Sequence, residues 1–264
     1  MSDWNPALYM RFASERTRPA AELMARIPFI DAQVQHVVDL GCGPGNSTQL
    51  LLSRFSEAQV LGIDNSQSML AAASENVPQA KFLEADIAQW QPDVRAQSPQ
   101  LIFANAALHW VPDHEALIPR LFSLLAAGGV LAIQVPDNDE EASHVIMREV
   151  AELSQFAQER TKSTAPRSKI LLPREYYDLL ASVGAQSIDI WHTVYQHRME
   201  SPAAIVEWLR STGLRTYVES LPARLQTAYL AEYEKRVDQA YPPLADGSRL
   251  LAFPRLFIVA QRSV

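Results

Sequence analysis

A single cysteine, Cys42, excludes an internal disulfide framework and leaves no cysteine-rich metal site. The six histidines show no HExxH-like spacing, which argues against a zinc hydrolase, and no metal is expected. No stretch approaches the roughly 18 consecutive apolar residues of a membrane span. The opening MSDWNPALYMRFASERTR lacks the apolar core of a signal peptide, so a cytoplasmic protein without membrane partners is expected. Positive charge is scarce: 23 Lys and Arg face 30 Asp and Glu, for a formal net charge of -7. That balance does not advertise nucleic-acid binding and favours a small-molecule partner. Of the basic residues, 19 are arginines and 4 are lysines. A carboxylate or phosphate site would suit the planar guanidinium fork, and genome composition gives the same bias.

Glycine is sparse too, nine residues in 264, yet three of them stand within five positions in VVDLGCGPGNST, residues 37–48. A glycine-rich turn between a strand and a helix lets backbone approach a ligand closely, because glycine has no Cβ and accepts positive φ. A dinucleotide fingerprint needs G-x-G-x-x-G, with its third glycine where strand and helix pack. Here Gly41, Gly43 and Gly45 give G-x-G-x-G, and the position that fingerprint reserves for glycine is Asn46. A nicotinamide-dependent dehydrogenase is disfavoured on that ground.

From residue 36 to about 136, short apolar runs alternate with helical segments, the signature of a parallel sheet flanked by helices. Strands are expected at 36–40, 58–64, 80–86, 100–106 and 130–136. Helices are expected over 46–55, 66–76 and 114–125, where apolar residues recur at three- and four-residue spacings. Before this unit, Pro19 starts a helix over 19–27 in an N-terminal cap. After it come helices over 143–156, 174–184, 201–213 and 222–241, and strand-like segments over 186–199 and 250–262. The polar segment 158–169 reads as a mobile loop. The expectation is one domain, with a cap at 1–30, a ligand-binding core at 31–140, and substrate-side helices and final strands at 141–264.

With Asp39 as its opening acid, the glycine turn resembles motif I of the class I S-adenosylmethionine-dependent methyltransferases. The resemblance implies a Rossmann-like α/β fold. It has a seven-stranded, mostly parallel sheet with helices on both faces, an antiparallel pair of last strands, an N-terminal cap and a C-terminal helical insertion. S-adenosylmethionine is the implied cofactor and S-adenosylhomocysteine the product. The cofactor carries an ammonium, a carboxylate, a sulfonium and two ribose hydroxyls, and Asp39 complements its cationic side. Asp64, 25 residues further on, can accept hydrogen bonds from both ribose hydroxyls, with Asn65 beside it. Asp86 resembles the family's acid for the adenine amino group, and Ile87 its neighbour packing on the ring. Asn105 and Ala106 fall where the family closes over the transferable methyl. His109 and Trp110 face either the substrate or the core, and His109 is a candidate general base or a packing residue.

Segments outside the generic motifs extend the resemblance. DWNPALYMRF, EADIAQWQP, IFANAALHWVPDH, QVPDN, MREV and LLAFPRLFIVA are similar to the family of trans-aconitate methyltransferases, with the likeness weakest over 158–169 and 215–249. It implies transfer of a methyl to one carboxylate of a small tricarboxylate. Such a group is ionised at neutral pH and needs no general base. Trp4, Tyr9, Phe12 and Trp110 are candidates to enclose the site. The carboxylates left unmethylated require a local basic cluster, for which Arg11, Arg16, Arg18, Arg148 and Arg255 are candidates. Arg255, set in an apolar strand, is the least comfortable as a solvated bystander. Tyr176, Tyr195 and His197 are further hydrogen-bond donors. Another small carboxylate, a hydroxyl or an amine as acceptor stays open, as does a noncatalytic S-adenosylmethionine-binding protein.

Overall fold

The computed structural model describes residues 13–28, 34–93, 97–160, 168–210 and 212–264, with only the helical backbone given at 13–16. Seven strands form one sheet in the order β3-β2-β1-β4-β5-β7-β6. They are β1 His36–Leu40, β2 Gln59–Asp64, β3 Lys81–Glu84, β4 Leu101–Asn105, β5 Val130–Pro136, β6 Ala185–Met199 and β7 Arg249–Arg262. β1 pairs in parallel with β2 and β4, β2 with β3, and β4 with β5. Against β5, β7 runs the other way. Arg262 N–H donates to Gly129 O and Asp137 N–H to Pro254 O, so partner numbers fall as β5 is ascended.

The sequence pattern accounts for this layering. β5 is buried along its whole length, as are all but one residue each of β1 and β4, which is the unbroken apolar run of strands covered on both faces. β3 at the edge is mostly exposed. The connections from β1 run outward through β2 to β3, then return to β4 on the other side of β1. At such a reversal an open α/β sheet places ligands beyond the carboxyl ends of its strands.

The helices are α1 Ala13–Ala25, α2 Asn46–Arg54, α3 Gln67–Asn76, α4 His114–Ser123, α5 Ala142–Ala151, α6 Ser154–Ala157, α7 Pro173–Ser182, α8 Pro202–Arg210, α9 Gly213–Glu219 and α10 Ala223–Ala240. Three expectations need correction. α1 begins at Ala13, so Pro19 lies inside the helix. The missing N–H is offset by burial of Ala20, Leu23 and Ile27 on one face, and the Arg54 guanidinium binds the carbonyls of Met24 and Ile27 at the helix end. The helix expected over 143–156 breaks at Leu153, whose extended backbone lets Phe156 pack edge-on against Tyr229. The helix expected over 201–213 ends at Arg210, and Gly213 opens α9. A Cβ there would lie 3.3 Å from the His144 ring, so the glycine answers to packing. The expected loop at 158–169 lies largely outside the described residues.

Two compact units share the chain. The larger contains Ser2–Pro136, Ser168–His192 and Leu256–Val264; its core joins β1, β4 and β5 to α4, α7 and the end of β7 through Ile102, Leu121, Phe122, Tyr176, Leu180 and Ile258. The smaller contains Asp137–Arg167 and Thr193–Arg255, where α10 packs on α5 and α8. There, Tyr229 and Tyr233 donate their hydroxyls to the carbonyls of Met147 and Ser143. Among the described residues no helix is long and apolar enough to cross a membrane.

Candidate active site

Parallel pairing brings the ends of β3, β2, β1 and β4 to one edge of the larger unit, and with them Asp86, Asp64, the glycine turn and Asn105. Gly41 and Gly43 have φ of 70° and 53°. A Cβ on Gly41 would lie 2.3 Å from Ala107 Cβ, whereas one on Gly43 would meet nothing within 4 Å. Gly41 is thus required by the close approach of β4, and Gly43 leaves open backbone facing outward.

The turn's N–H groups are already engaged. Gly41 and Cys42 donate to Ile63 O, Gly45 to Cys42 O, and Gly43 to Asp64 Oδ2 at 3.0 Å. These four N–H groups are spent inside the protein. Asp64 also accepts Ser66 N–H through Oδ1. A carboxylate has about four acceptor positions, so an oxygen can serve more than one donor. Asn65 next to it is exposed, and Asn46 begins α2 directly behind the turn.

Asp39 lies beneath the turn, fully buried. Its Oδ2 accepts the hydroxyls of Ser47 and Thr48, both at 2.7 Å, which fastens the first turn of α2. Burial pushes its pKa up to about 6, opposed by those hydroxyls and reinforced by the Asp64 charge. Asp39 Oδ1 and Asn105 Oδ1 are buried acceptors with no hydrogen-bond partner among the described residues. The edge therefore offers buried acceptors. Such acceptors fit a ligand bearing an ammonium and ribose hydroxyls, as S-adenosylmethionine does.

At the β3 end, Asp86 is exposed and its Oδ1 accepts Ala88 N–H at 2.9 Å. Ile87 Cδ1 lies within 3.6 Å of the position a Gly41 Cβ would take, so the predicted ring-packing residue does flank the glycine turn. Arg120 of α4 donates to the carbonyls of Ile87 and Trp90, a connection that sequence spacing did not reveal. Burial pushes the Arg120 pKa down, and the Asp86 charge opposes it.

After β4, Ala106 adopts φ 53°, a left-handed conformation costly for alanine, while its N–H donates to Gln134 O. The strain turns the chain sharply into a short 3₁₀ turn, Leu108–Trp110. His109 is buried with its ring 4.8 Å from the half-buried Trp110 ring, and its carbonyl accepts Ser168 N–H. Beneath this turn, His114 bonds Leu108 O through Nε2 and the Tyr176 hydroxyl through Nδ1. Burial holds the His114 pKa below the usual histidine range. Tyr176, considered as a possible ligand donor, is committed to this contact inside the core.

The candidate arginines are not gathered into one cluster by the described contacts. Arg18 is exposed and pairs with Glu22 one helical turn on. Arg148, in the smaller unit, donates to Asp139 O and pairs with Glu140 at 3.6 Å. Arg255, in the same unit, is buried, its guanidinium 4.8 Å from the Phe253 ring and 5.9 Å from that of Tyr195. The His197 ring lies 4.7 Å from that of Trp208 and 5.9 Å from that of Phe253. Arg16's side chain is not described, and Trp4, Tyr9, Arg11 and Phe12 lie outside the described residues. Among the described residues no group of three or more His, Cys, Asp or Glu is placed to hold a metal ion.

The methyltransferase-domain family matches residues 37–129. The chain is 61% identical to trans-aconitate 2-methyltransferase of Delftia acidovorans (strain DSM 14801 / SPH-1) over 268 residues, covering 99% of each chain. It is 60% identical to the protein of that name from Variovorax paradoxus (strain S110), again over 99% of each. Among solved structures, Haemonchus contortus phosphoethanolamine N-methyltransferase 2 in complex with S-adenosyl-L-methionine superposes with TM-score 0.54 at 16% identity, covering 94% of this chain and 53% of that one. The YcgJ protein of Bacillus subtilis superposes with TM-score 0.57 at 13% identity, covering 94% and 99%.

Proposed function

The chain belongs to the trans-aconitate 2-methyltransferase family, and from that premise we propose that it transfers the methyl group of S-adenosylmethionine to one carboxylate of trans-aconitate. The products are the monomethyl ester and S-adenosylhomocysteine. The observation that carries this is the extent of the likeness: 61% identity runs through 99% of the chain, far beyond the cofactor motifs at 37–129. The whole chain acts as one methyltransferase domain whose residues 31–140 hold the cofactor, and it works in the cytoplasm on a small tricarboxylate.

Asp64 receives the ribose hydroxyls, Asp86 and Ile87 the adenine, and Asn105 and Ala106 border the reacting end, with Asp39 biasing the loop toward a cation. When bound, S-adenosylmethionine supplies an electrophilic methyl on a sulfonium. The acceptor carboxylate has an ordinary pKa near 4 and is already ionised at neutral pH, so no residue has to remove a proton. The protein's work is alignment and exclusion of water, to which His109 and Trp110 contribute as a wall.

The test is incubation with methyl-labelled S-adenosylmethionine and trans-aconitate, with cis-aconitate, citrate and isocitrate as competitors, and mass spectrometry of the product. A labelled monomethyl ester formed preferentially from trans-aconitate is expected. Tight cofactor binding without ester from any of the four would discard the acceptor assignment.

A further inference from the structure

Beyond β3 the chain makes a tight turn over residues 86–90. Asp86 organises it from within: its Oδ1 accepts Ala88 N–H at 2.9 Å, and its carbonyl accepts the N–H groups of Gln89 and Trp90 at 3.0 and 2.8 Å. Two carbonyls of the turn, Ile87 and Trp90, are bound by one side chain. Arg120 donates Nη2 to Ile87 O and Nη1 to Trp90 O, each at 2.6 Å. The support on either side is rigid. α4 buries Leu117, Ile118 and Leu121, and Trp90 is buried in the same core.

An exposed carboxylate on a loose turn discriminates poorly, because water competes for it and ordering the turn costs entropy on binding. We propose that Arg120 is a positioning residue for cofactor recognition: by gripping the Ile87 and Trp90 carbonyls it presents Asp86 and Ile87 at the adenine end and so sets selectivity for a 6-aminopurine. The inference rests on the assignment of Asp86 and Ile87 to adenine made above. The guanidinium is suited to this as no other side chain is, since its planar fork reaches two acceptors at once, whereas a lysine ammonium is a point charge on a flexible stem.

The experiment compares dissociation constants of S-adenosylhomocysteine and of its analogue lacking the 6-amino group, for the wild-type protein, Arg120→Met, Arg120→Lys and Asp86→Ala. The wild type should prefer the amino form by on the order of tenfold, the value of one hydrogen bond to a charged acceptor. Arg120→Met should reduce that preference to about twofold by weakening the amino form, and Arg120→Lys should fall between them. An equal loss of affinity for both compounds in Arg120→Met would make Arg120 a purely structural residue and overturn the proposal. So would an unchanged preference in Arg120→Met alongside a lost one in Asp86→Ala. A preference that survives Asp86→Ala overturns the adenine assignment instead. Should Arg120→Met fail to fold, Arg120→Lys decides by the same comparison.

Discussion

Gly43 donates its backbone N–H to Oδ2 of Asp64 at 3.0 Å, so the acid ending β2 fastens the open glycine of the turn that follows β1. One carboxylate thereby shapes the loop, and on the proposed function it also receives the ribose hydroxyls. Loss of the charge is felt twice.

Asp64→Ala should weaken S-adenosylhomocysteine binding by on the order of 100-fold, about 3 kcal/mol for hydroxyl bonds to a charged acceptor. Asp64→Asn, which keeps an oxygen for Gly43, should lose less. Isothermal titration measures both, and an affinity within about twofold of wild type in Asp64→Ala would remove the residue from the ribose site.

Asp39 binds its proton more tightly in the folded protein than in the unfolded chain, 3.8 being raised to about 6 by burial. Between those values the folded state holds more protons, so stability falls as pH rises from about 4 to 6 and is level beyond, a loss of about 3 kcal/mol. Asp39→Asn should abolish that slope and be the more stable protein at pH 7. His114 contributes oppositely, because its depressed pKa makes stability fall as pH drops below the usual histidine value of 6.5. The comparison is therefore the difference between wild-type and Asp39→Asn denaturation curves across pH, in which the His114 contribution cancels. A difference independent of pH would show that Asp39 is not the group responsible.

The strand and glycine positions were legible because their signals are local: apolar runs, turn residues, and acids at the ends of three successive strands. What was not legible depends on distant partners. Arg120 meets Trp90 and Ile87 at sequence separations of 30 and 33, and His114 meets Tyr176 at 62. The role of Gly213 at the start of α9 was hidden because its packing partner, His144, lies far back in the sequence. The hydroxyls of Ser47 and Thr48 were within reach of inference, since residues on the first turn after a glycine loop face the strand that feeds it. The arginines were the weakest part of the sequence reading, because a charged residue's type does not say whether a nearby acid already holds it, as Glu22 holds Arg18.

If the acceptor is a carboxylate, His109 has no proton to take. His109→Gln should then keep kcat within about fivefold, compared with the 10²- to 10⁴-fold attributable to general-base catalysis, and the wild-type rate should be level from about pH 6 to 8. A fall of about 1,000-fold in kcat with unchanged acceptor KM would assign His109 a proton-transfer role and point to a hydroxyl or amine acceptor.

His114 Nε2 faces a carbonyl oxygen and must carry the proton there, which leaves Nδ1 to accept from the Tyr176 hydroxyl. Tyr176→Phe strands a buried acceptor and should cost about 1 to 3 kcal/mol, seen as a fall in Tm of roughly 3 to 10 °C. Because the same histidine holds Leu108 O at the start of the 108–110 turn, acceptor KM should rise more than S-adenosylhomocysteine affinity falls. Equal effects on both ligands would indicate general destabilisation without a specific tie to that turn.

Arg255 is 4% exposed and carries its charge among Phe253, Tyr195 and the neighbouring His197. A bidentate carboxylate is a strong complement to a guanidinium, which makes Arg255 a candidate anchor from the sequence. A tricarboxylate acceptor needs such a complement for the groups it does not lose to methylation. Arg255→Met keeps the length and apolar packing of the side chain while removing the charge. It should raise KM for trans-aconitate by on the order of 10- to 100-fold and leave S-adenosylhomocysteine affinity unchanged. It should also narrow the preference for trans-aconitate over dicarboxylates such as fumarate, an effect that loss of packing alone does not produce. If KM and that preference both hold within about twofold, Arg255 anchors no acceptor carboxylate.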